Sequence, residues 1–305
     1  MRVFLTGAEG FLGRHVYAAL ENAGHTPFFF SKESCNVLNA PRLYEVLAAA
    51  KPDAVIHMAA LCGGIQANRQ SPARFWHDNL MMGMNVLSVC YGLGIKKVVM
   101  LGTTCSYPKN CKVPFKEDDL FTGYPEDTNA PYGIAKAALL VGARAYHEQY
   151  GMNVVTLVPT NLYGPGDHFE PERSHVIPAL IKKVIEAKGA LTVWGSGLAT
   201  RDFLYVEDCA RAIVLALEHY DSPCPVNLGS GKEVSIVGLT ELIADLLKWT
   251  GRIIFDKSKP DGQPRRCLDT SRASKYLGWE ARTPLKEGLR KTINWYLMRR
   301  EQEKR

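Results

Sequence analysis

No stretch of the chain approaches the roughly 20 consecutive apolar residues that a membrane-spanning helix requires, so no membrane partner is expected. The eight cysteines, Cys35, Cys62, Cys90, Cys105, Cys111, Cys209, Cys224 and Cys267, contain no C-x-x-C pair. Cys105 and Cys111 are the nearest two, and no histidine pattern completes a zinc site with them, so no metal is expected. Long basic runs are lacking too. The polar tail RREQEKR reads as a solvated helix end. A net charge of +6 without such a run speaks against nucleic-acid binding and for a positive cleft that receives a phosphorylated ligand. Internal repeats and low-complexity segments are absent. MRVFLTG runs straight into a strand and a turn, which sets the expectation of no secretory leader. With scattered cysteines, the expectation is a cytoplasmic chain with reduced thiols, most of them small core residues.

What is present is an ordinary globular composition, 46% hydrophobic and 22% charged over 305 residues. That length supports a large core and two domains, or one domain with a substantial lobe. In the first half, short apolar runs (MRVFLTG, TPFFFS, DAVIHMAA, KKVVMLG, NVVTLVP) alternate with helical patterns at about 11–23, PRLYEVLAAA, 75–93 and 131–150. Continuous apolar strands alternating with helices imply a parallel sheet covered on both faces. The expected fold is therefore α/β, a Rossmann-type doubly wound parallel sheet with a smaller C-terminal α/β lobe. After Pro165 the Gly/Pro-rich GPGDHFEPERS marks a loop, and a helix follows at 176–187. DFLYVEDCARAIVLALEHY reads as a strand and helix returning to the main sheet. The division expected is 1–165 for nucleotide binding, with a returning segment at about 200–222, and 166–199 plus 223–305 for a substrate lobe.

The first strand ends in TGAEGFLG, with Gly7, Gly10 and Gly13 between strand and helix. Gly7 permits the tight turn, Gly10 lets backbone approach a pyrophosphate, and Gly13 lets the helix pack close to the sheet. Phe11 and Leu12 open the helix, whose free N–H groups would meet the phosphates. A tight turn without a ligand would look the same. At the end of the second strand, Ser31 and Lys32 precede Glu33. A basic residue there favours a 2′-phosphate and an acidic one a free ribose, so the expectation leans to NADP(H) over NAD. Asn36 and Asn39 would lie near the adenine, or serve ordinary loop chemistry.

Tyr132 and Lys136 in APYGIAKAA stand at i and i+4, on one face of a helix. A lysine beside a phenol lowers its pKa, so that it can pass a proton at neutral pH. The fourth strand ends in Leu101, Gly102, Thr103, Thr104 and Cys105. Hydroxyls after a nucleotide turn, followed by Tyr-x-x-x-Lys, resemble the extended short-chain dehydrogenase/reductase superfamily that acts on nucleotide sugars. Thr103, four residues before Tyr107, matches that family's substrate-bonding Ser/Thr. The sugar 4,6-dehydratases of this superfamily carry an Asp-Glu pair where Thr104 and Cys105 stand, which argues against a dehydratase. Cys105 before Tyr-Pro, then NAPYGIAK, VPTNLYGPGDHF, SHVIPALIKK, TVWGSG, TRDFLYVED and KPDGQPRR, together make the whole chain similar to the GDP-L-fucose synthase family.

That resemblance implies NADPH-dependent 3,5-epimerisation and 4-reduction of GDP-4-keto-6-deoxy-D-mannose. A C4 ketone acidifies the protons at C3 and C5. By resemblance Cys105 and His175 exchange them, Thr103 and Tyr132 hold the C4 oxygen, Tyr132 supplies the final proton, and Lys136 keeps the phenol acidic and touches the nicotinamide ribose. The backbone at Pro159, Thr160, Asn161 and Leu162, with Leu101, Gly102 and His175, would line the cofactor. Lys183, Trp194, Arg201 and Asp261 match substrate contacts, with Asn161 beside them and Arg266 a weaker candidate. Cys105 as a buried strand-end thiol, His175 as a helix cap and Lys183 on a solvated face are the plainer readings. Departures are Thr103 for serine, Ser106 for an apolar residue, His168 for asparagine, and the lack of an arginine in AEGFLG. The resemblance also implies a homodimer packed through helices at about 80–93 and 132–150. Alternatives are a reductase of a related GDP-4-keto sugar (a heptose or deoxyhexose) with partial or no epimerisation, a non-catalytic nucleotide-sugar binder, and a UDP-sugar 4-epimerase that retains NAD.

Overall fold

The computed structural model describes residues 1–170, 174–259 and 261–303. Residues 171–173 of the GPGDHFEPERS loop, Pro260 of KPDGQPRR and the last two residues of the tail lie outside the described set.

Six strands form one sheet in the order Thr26–Phe28, Arg2–Thr6, Ala54–His57, Lys97–Leu101, Asn153–Pro159, Val226–Leu228. Every neighbouring pair is parallel. The strands are apolar throughout because both faces are covered, and alternation decides which residue serves which face. Val3, Leu5, Ala54, Ile56, Val99, Val155 and Leu157 join one buried cluster, with Val16 and Leu20 of the helix Phe11–Asn22 and Ile213 and Leu217 of Val206–His219. Phe4, Val55, Val98, Met100 and Val154 join the other, with Leu43 and Leu47 of Ala40–Ala50, Val86 and Leu87 of Pro72–Gly92, and Leu139 of Ala130–Tyr150. The order reverses at Arg2–Thr6, which sends the next connection to the other side of the sheet, and the carboxyl ends there form the crevice where such folds take ligands.

The second sheet corrects one expectation. Thr200–Tyr205 does not return to the main sheet. It pairs antiparallel with Glu233–Ser235 and parallel with both Arg265–Arg266 and the short strand Asn161–Tyr163. The helix after it, Val206–His219, does pack on the main sheet, and the sixth strand is Val226–Leu228. A two-stranded parallel pair, Ala190–Trp194 with Arg252–Asp256, completes the lobe. Its own core includes Tyr163, Ile177, Ile181, Phe203, Leu239 and Ile293. Thr160 Oγ1 and Asn161 Nδ2 both donate to the Asp202 carbonyl, at 3.1 and 2.9 Å, which ties the fifth strand's exit to the lobe.

Candidate active site

At the first strand's end Gly7 has φ +74°, and a Cβ there would stand 2.8 Å from the Ala59 nitrogen. At Gly13 a Cβ would lie 2.1 Å from the Gly7 carbonyl oxygen, so only glycine lets the helix begin this close to the turn. The helix Phe11–Asn22 starts without a side-chain cap, which leaves its first N–H groups for a ligand. Thr6 Oγ1 accepts from the Met58 and Ala59 N–H groups, at 3.2 and 3.1 Å, and meets His57 Nδ1 at 2.8 Å. The hydroxyl has one proton to give, so His57 accepts it and carries its own on Nε2. Burial, and then the charge of Lys136, push His57 down to about 3, which keeps it neutral. This cradle, shaped by the absence of side chains, fits a dinucleotide pyrophosphate. Ser31 and Lys32 follow the second strand, and Ser34 N–H donates to Ser31 Oγ at 3.4 Å. Asn36 and Asn39 are used locally, Asn36 Oδ1 accepting from Leu38 N–H and Asn39 Oδ1 from Arg42 N–H, each at 3.1 Å.

The fourth strand delivers Thr103, whose hydroxyl accepts from the Cys105 N–H at 3.2 Å and starts the turn Thr104–Ser106. Ser106, unusual by its sequence, donates to the Gly133 carbonyl at 2.8 Å. A Cβ on Gly133 would lie 2.2 Å from the Cys105 carbonyl oxygen. The thiol turn and the first turn of the helix Ala130–Tyr150 are therefore clamped together. Asn129, at that helix's N-cap position without a side-chain cap bond, donates to Cys105 Sγ at 3.2 Å, and Arg266 Nη1 approaches the same sulfur at 3.9 Å. Tyr132 and Lys136 share the helix face as their spacing predicts, yet the phenol is held above its ordinary pKa and not below it. Lys136 Nζ donates to the Leu101 carbonyl at 3.0 Å. Burial, then the sulfurs of Cys62 and Cys105, hold the Tyr132 phenol well above its ordinary pKa, with the Thr103 hydrogen bond pulling the other way.

On the lobe side a cavity of about 320 Å³ gathers Asn161, Leu162, His175, Lys183, Trp194, Arg201 and Asp261. His175 occupies the N-cap position of the helix Val176–Glu186 without making a cap bond, so the plainer reading of it as a cap is not what the structure shows. Burial, with His168 nearby, depresses its pKa. Lys183 Nζ lies 5.6 Å over the exposed Trp194 ring and donates to the Thr192 carbonyl at 3.3 Å. Arg201 is pushed down to about 10 by burial and then by Arg266, with Asp261 opposing, and stays cationic at neutral pH. Asp261 Oδ1 accepts from Ser196 N–H at 2.7 Å, and a Cβ on Gly195 would meet that oxygen at 2.3 Å. Arg266 is not on this wall; it stands by Cys105 and donates to Gln263 Oε1 at 3.0 Å. Sequence reasoning missed Cys62, Asn129 and Lys259, the last with its ammonium 5.7 Å over Trp194. A larger hollow of about 580 Å³, between Leu47, Lys51, Leu93 and Lys96, adjoins the opposite ends of the third and fourth strands and holds none of these groups. Among the described residues no cluster of His, Cys, Asp and Glu has the makings of a metal site.

A family model described as the NAD dependent epimerase/dehydratase family matches residues 3–229. A GDP-L-fucose synthase of Sinorhizobium fredii is 41% identical over 300 residues, covering 97% of this chain and 95% of the relative. Among solved structures, a GDP-6-OMe-4-keto-L-xylo-heptose reductase from C. jejuni superposes with a TM-score of 0.91 at 26% identity, covering 98% of each chain. A GDP-L-fucose synthetase from Naegleria fowleri bound to NADP superposes with a TM-score of 0.89 at 29% identity, covering 98% of this chain and 95% of that one.

Proposed function

The chain belongs to the NAD dependent epimerase/dehydratase family, and from that premise we propose that it converts GDP-4-keto-6-deoxy-D-mannose to GDP-L-fucose by 3,5-epimerisation and NADPH-dependent 4-reduction. The observation that carries this reading is the clamp that sets Thr103, Cys105 and Tyr132 together at one strand end. A reductase alone needs the hydroxyls and no thiol; a thiol fixed beside them, with His175 on the wall of the neighbouring cavity, suits proton exchange next to a ketone.

The dinucleotide would lie across the Gly7–Gly13 cradle, with Ser31 and Lys32 near its 2′-phosphate. Bound there, it supplies the hydride for C4. Arg201 and Lys183 hold the substrate's diphosphate by charge, Trp194 packs on its base or sugar, and Asp261 accepts from hydroxyls. Thr103 and Tyr132 donate to the C4 oxygen and stabilise the enolate formed when a C3 or C5 proton leaves. Cys105 and His175 remove and return those protons. His175, held below its ordinary pKa, is neutral at pH 7 and starts as a base. Tyr132, held protonated, starts as an acid. The choice of NADP over NAD rests on Ser31 and Lys32, and on the NADP in one similar structure. Reduced thiols suit a cytoplasmic setting; among the described residues no helix is long and apolar enough to cross a membrane.

The similarity to a heptose reductase favours one second reading, reduction of a related GDP-4-keto sugar with partial or no epimerisation. One assay separates the two. The protein is given GDP-4-keto-6-deoxy-mannose and NADPH in D2O, NADPH absorbance is followed, and the product is read by NMR. GDP-L-fucose with deuterium at C3 and C5 is expected. NADPH oxidation without deuterium at either carbon would leave a simple reductase, and no oxidation would withdraw the substrate.

A further inference from the structure

Cys62 lies outside every motif that pointed to the site, in the segment that follows the strand Ala54–His57. Its sulfur is 3.5 Å from the Tyr132 phenol oxygen, a hydrogen-bonding distance for a thiol. The loop that carries it is held on both flanks. Buried Asn79 accepts from the Leu61 N–H at 3.0 Å and donates to the Leu61 carbonyl at 3.1 Å and the Phe75 carbonyl at 2.7 Å. Buried Asn68 donates to the carbonyls of Gly63 and Gly64 at 3.0 and 3.1 Å. Between them, Gly63 leaves no room for a side chain: a Cβ would stand 2.9 Å from Ala67 Cβ and 3.2 Å from the Phe75 ring. That ring meets Tyr132 edge-on at 6.4 Å. Two buried amides thus hold the backbone on either side of Cys62, whose side chain is exposed, and an aromatic edge packs on the phenol.

What Tyr132 must do explains why such a contact matters, and the inference rests on the reading of Tyr132 as proton donor to C4. Lys136 has its ammonium on the Leu101 carbonyl. With the Thr103 hydroxyl on one side of the phenol oxygen, a thiol donor on the other directs the phenol's own proton outward, toward the C4 oxygen. We propose that Cys62 is a positioning residue for the reduction, its S–H donating to the Tyr132 oxygen. As C4 gains a hydride, the Tyr132 O–H bond breaks and its proton bonds to the C4 oxygen. The phenolate left behind takes a proton back from solvent.

The test compares wild type, Cys62→Ala and Cys62→Ser with the GDP-4-keto sugar and NADPH. The alanine variant should lose about three- to tenfold in kcat, the effect of one neutral hydrogen bond, with both KM values and the deuterium content at C3 and C5 unchanged. The serine variant, which keeps a donor, should recover most of kcat. An alanine variant as fast as wild type, or a serine variant no better than alanine, overturns the proposal. A second readout needs no substrate: the Cys62 S–H stretch, isolated by Raman difference between wild type and Cys62→Ser, should move to higher wavenumber in Tyr132→Phe. A band that Tyr132→Phe leaves in place overturns the proposal. If wild type fails to oxidise NADPH with this sugar, the substrate reading falls and the Raman comparison decides the role of Cys62.

Discussion

Burial keeps the Tyr132 phenol neutral, which is the form a proton donor must start in, while Lys136 grips the strand end beneath it. Division of labour among Tyr132, Cys105 and His175 makes the roles separable. Cys105→Ser and His175→Asn should each cut deuterium incorporation at one or both ring carbons by about 10² or more, the usual contribution of a placed acid or base, while NADPH still binds with wild-type affinity by fluorescence titration. Incorporation at the wild-type rate in either variant removes that residue from the mechanism. Tyr132 and Lys136 were legible because helical spacing puts them on one face, and Thr103 because it ends a strand. Cys62 was not legible, since it reaches the site through space, and Asn129, though it stands inside NAPYGIAK at the start of the helix, gives no sign along the chain that its amide meets the Cys105 sulfur. Spacing shows a shared face and not which acceptor an ammonium chooses, which here is the Leu101 carbonyl.

At the scale of elements, the catalytic geometry depends on one helix touching one turn. Gly133→Ala would drive a methyl into the Cys105 carbonyl oxygen. It should lower stability by about 1–3 kcal/mol, as overpacking does, and kcat by about 10², as a displacement of the order of an ångström does. Thermal melts and turnover measured together check this; a variant with wild-type values for both would show that the helix and turn stand further apart. Strands of the main sheet were readable from apolar runs such as KKVVMLG. Asn161–Tyr163 and Val226–Leu228 were not, since three residues carry no period. Thr200–Tyr205 was assigned to the wrong sheet for a related reason. An apolar strand before an amphipathic helix looks the same whichever sheet it joins, and the bonds onto Asp202 that fix its partner involve residues some 40 positions away.

For the molecule as a whole, two buried groups of opposite sign should each make stability depend on pH. His57 takes a proton near 6.5 when unfolded and near 3 when native, so its contribution is complete above 6.5 and is lost as pH falls toward 3. Asp167, whose Oδ2 has no partner among the described residues, is pushed up by burial to about 7 from an ordinary 3.8. Its contribution is complete below 3.8 and is lost as pH rises through 7. Asp167→Asn should therefore match wild type in urea unfolding at pH 4 and exceed it increasingly toward pH 8; parallel curves would show that Asp167 is not the titrating group. The surface carries a further expectation. Tyr91 and Tyr150, on the two longest described helices, meet with ring centroids 4.1 Å apart and planes tilted by 30° and, with Val141, stay exposed. We propose this face as a homodimer contact, checked by sedimentation, where a 33.9 kDa species alone at working concentration would exclude it. One junction has a consequence for how such enzymes diversify. The glycine cradle and the thiol turn belong to the first sheet, whereas Lys183, Trp194, Arg201 and Asp261 belong to the lobe, and the short strand Asn161–Tyr163, which follows the last residues of the fifth strand, pairs within the lobe's sheet. Mutation can therefore explore new sugars in the lobe while the cofactor cradle is inherited intact, and lineages can change substrate without reinventing their redox chemistry.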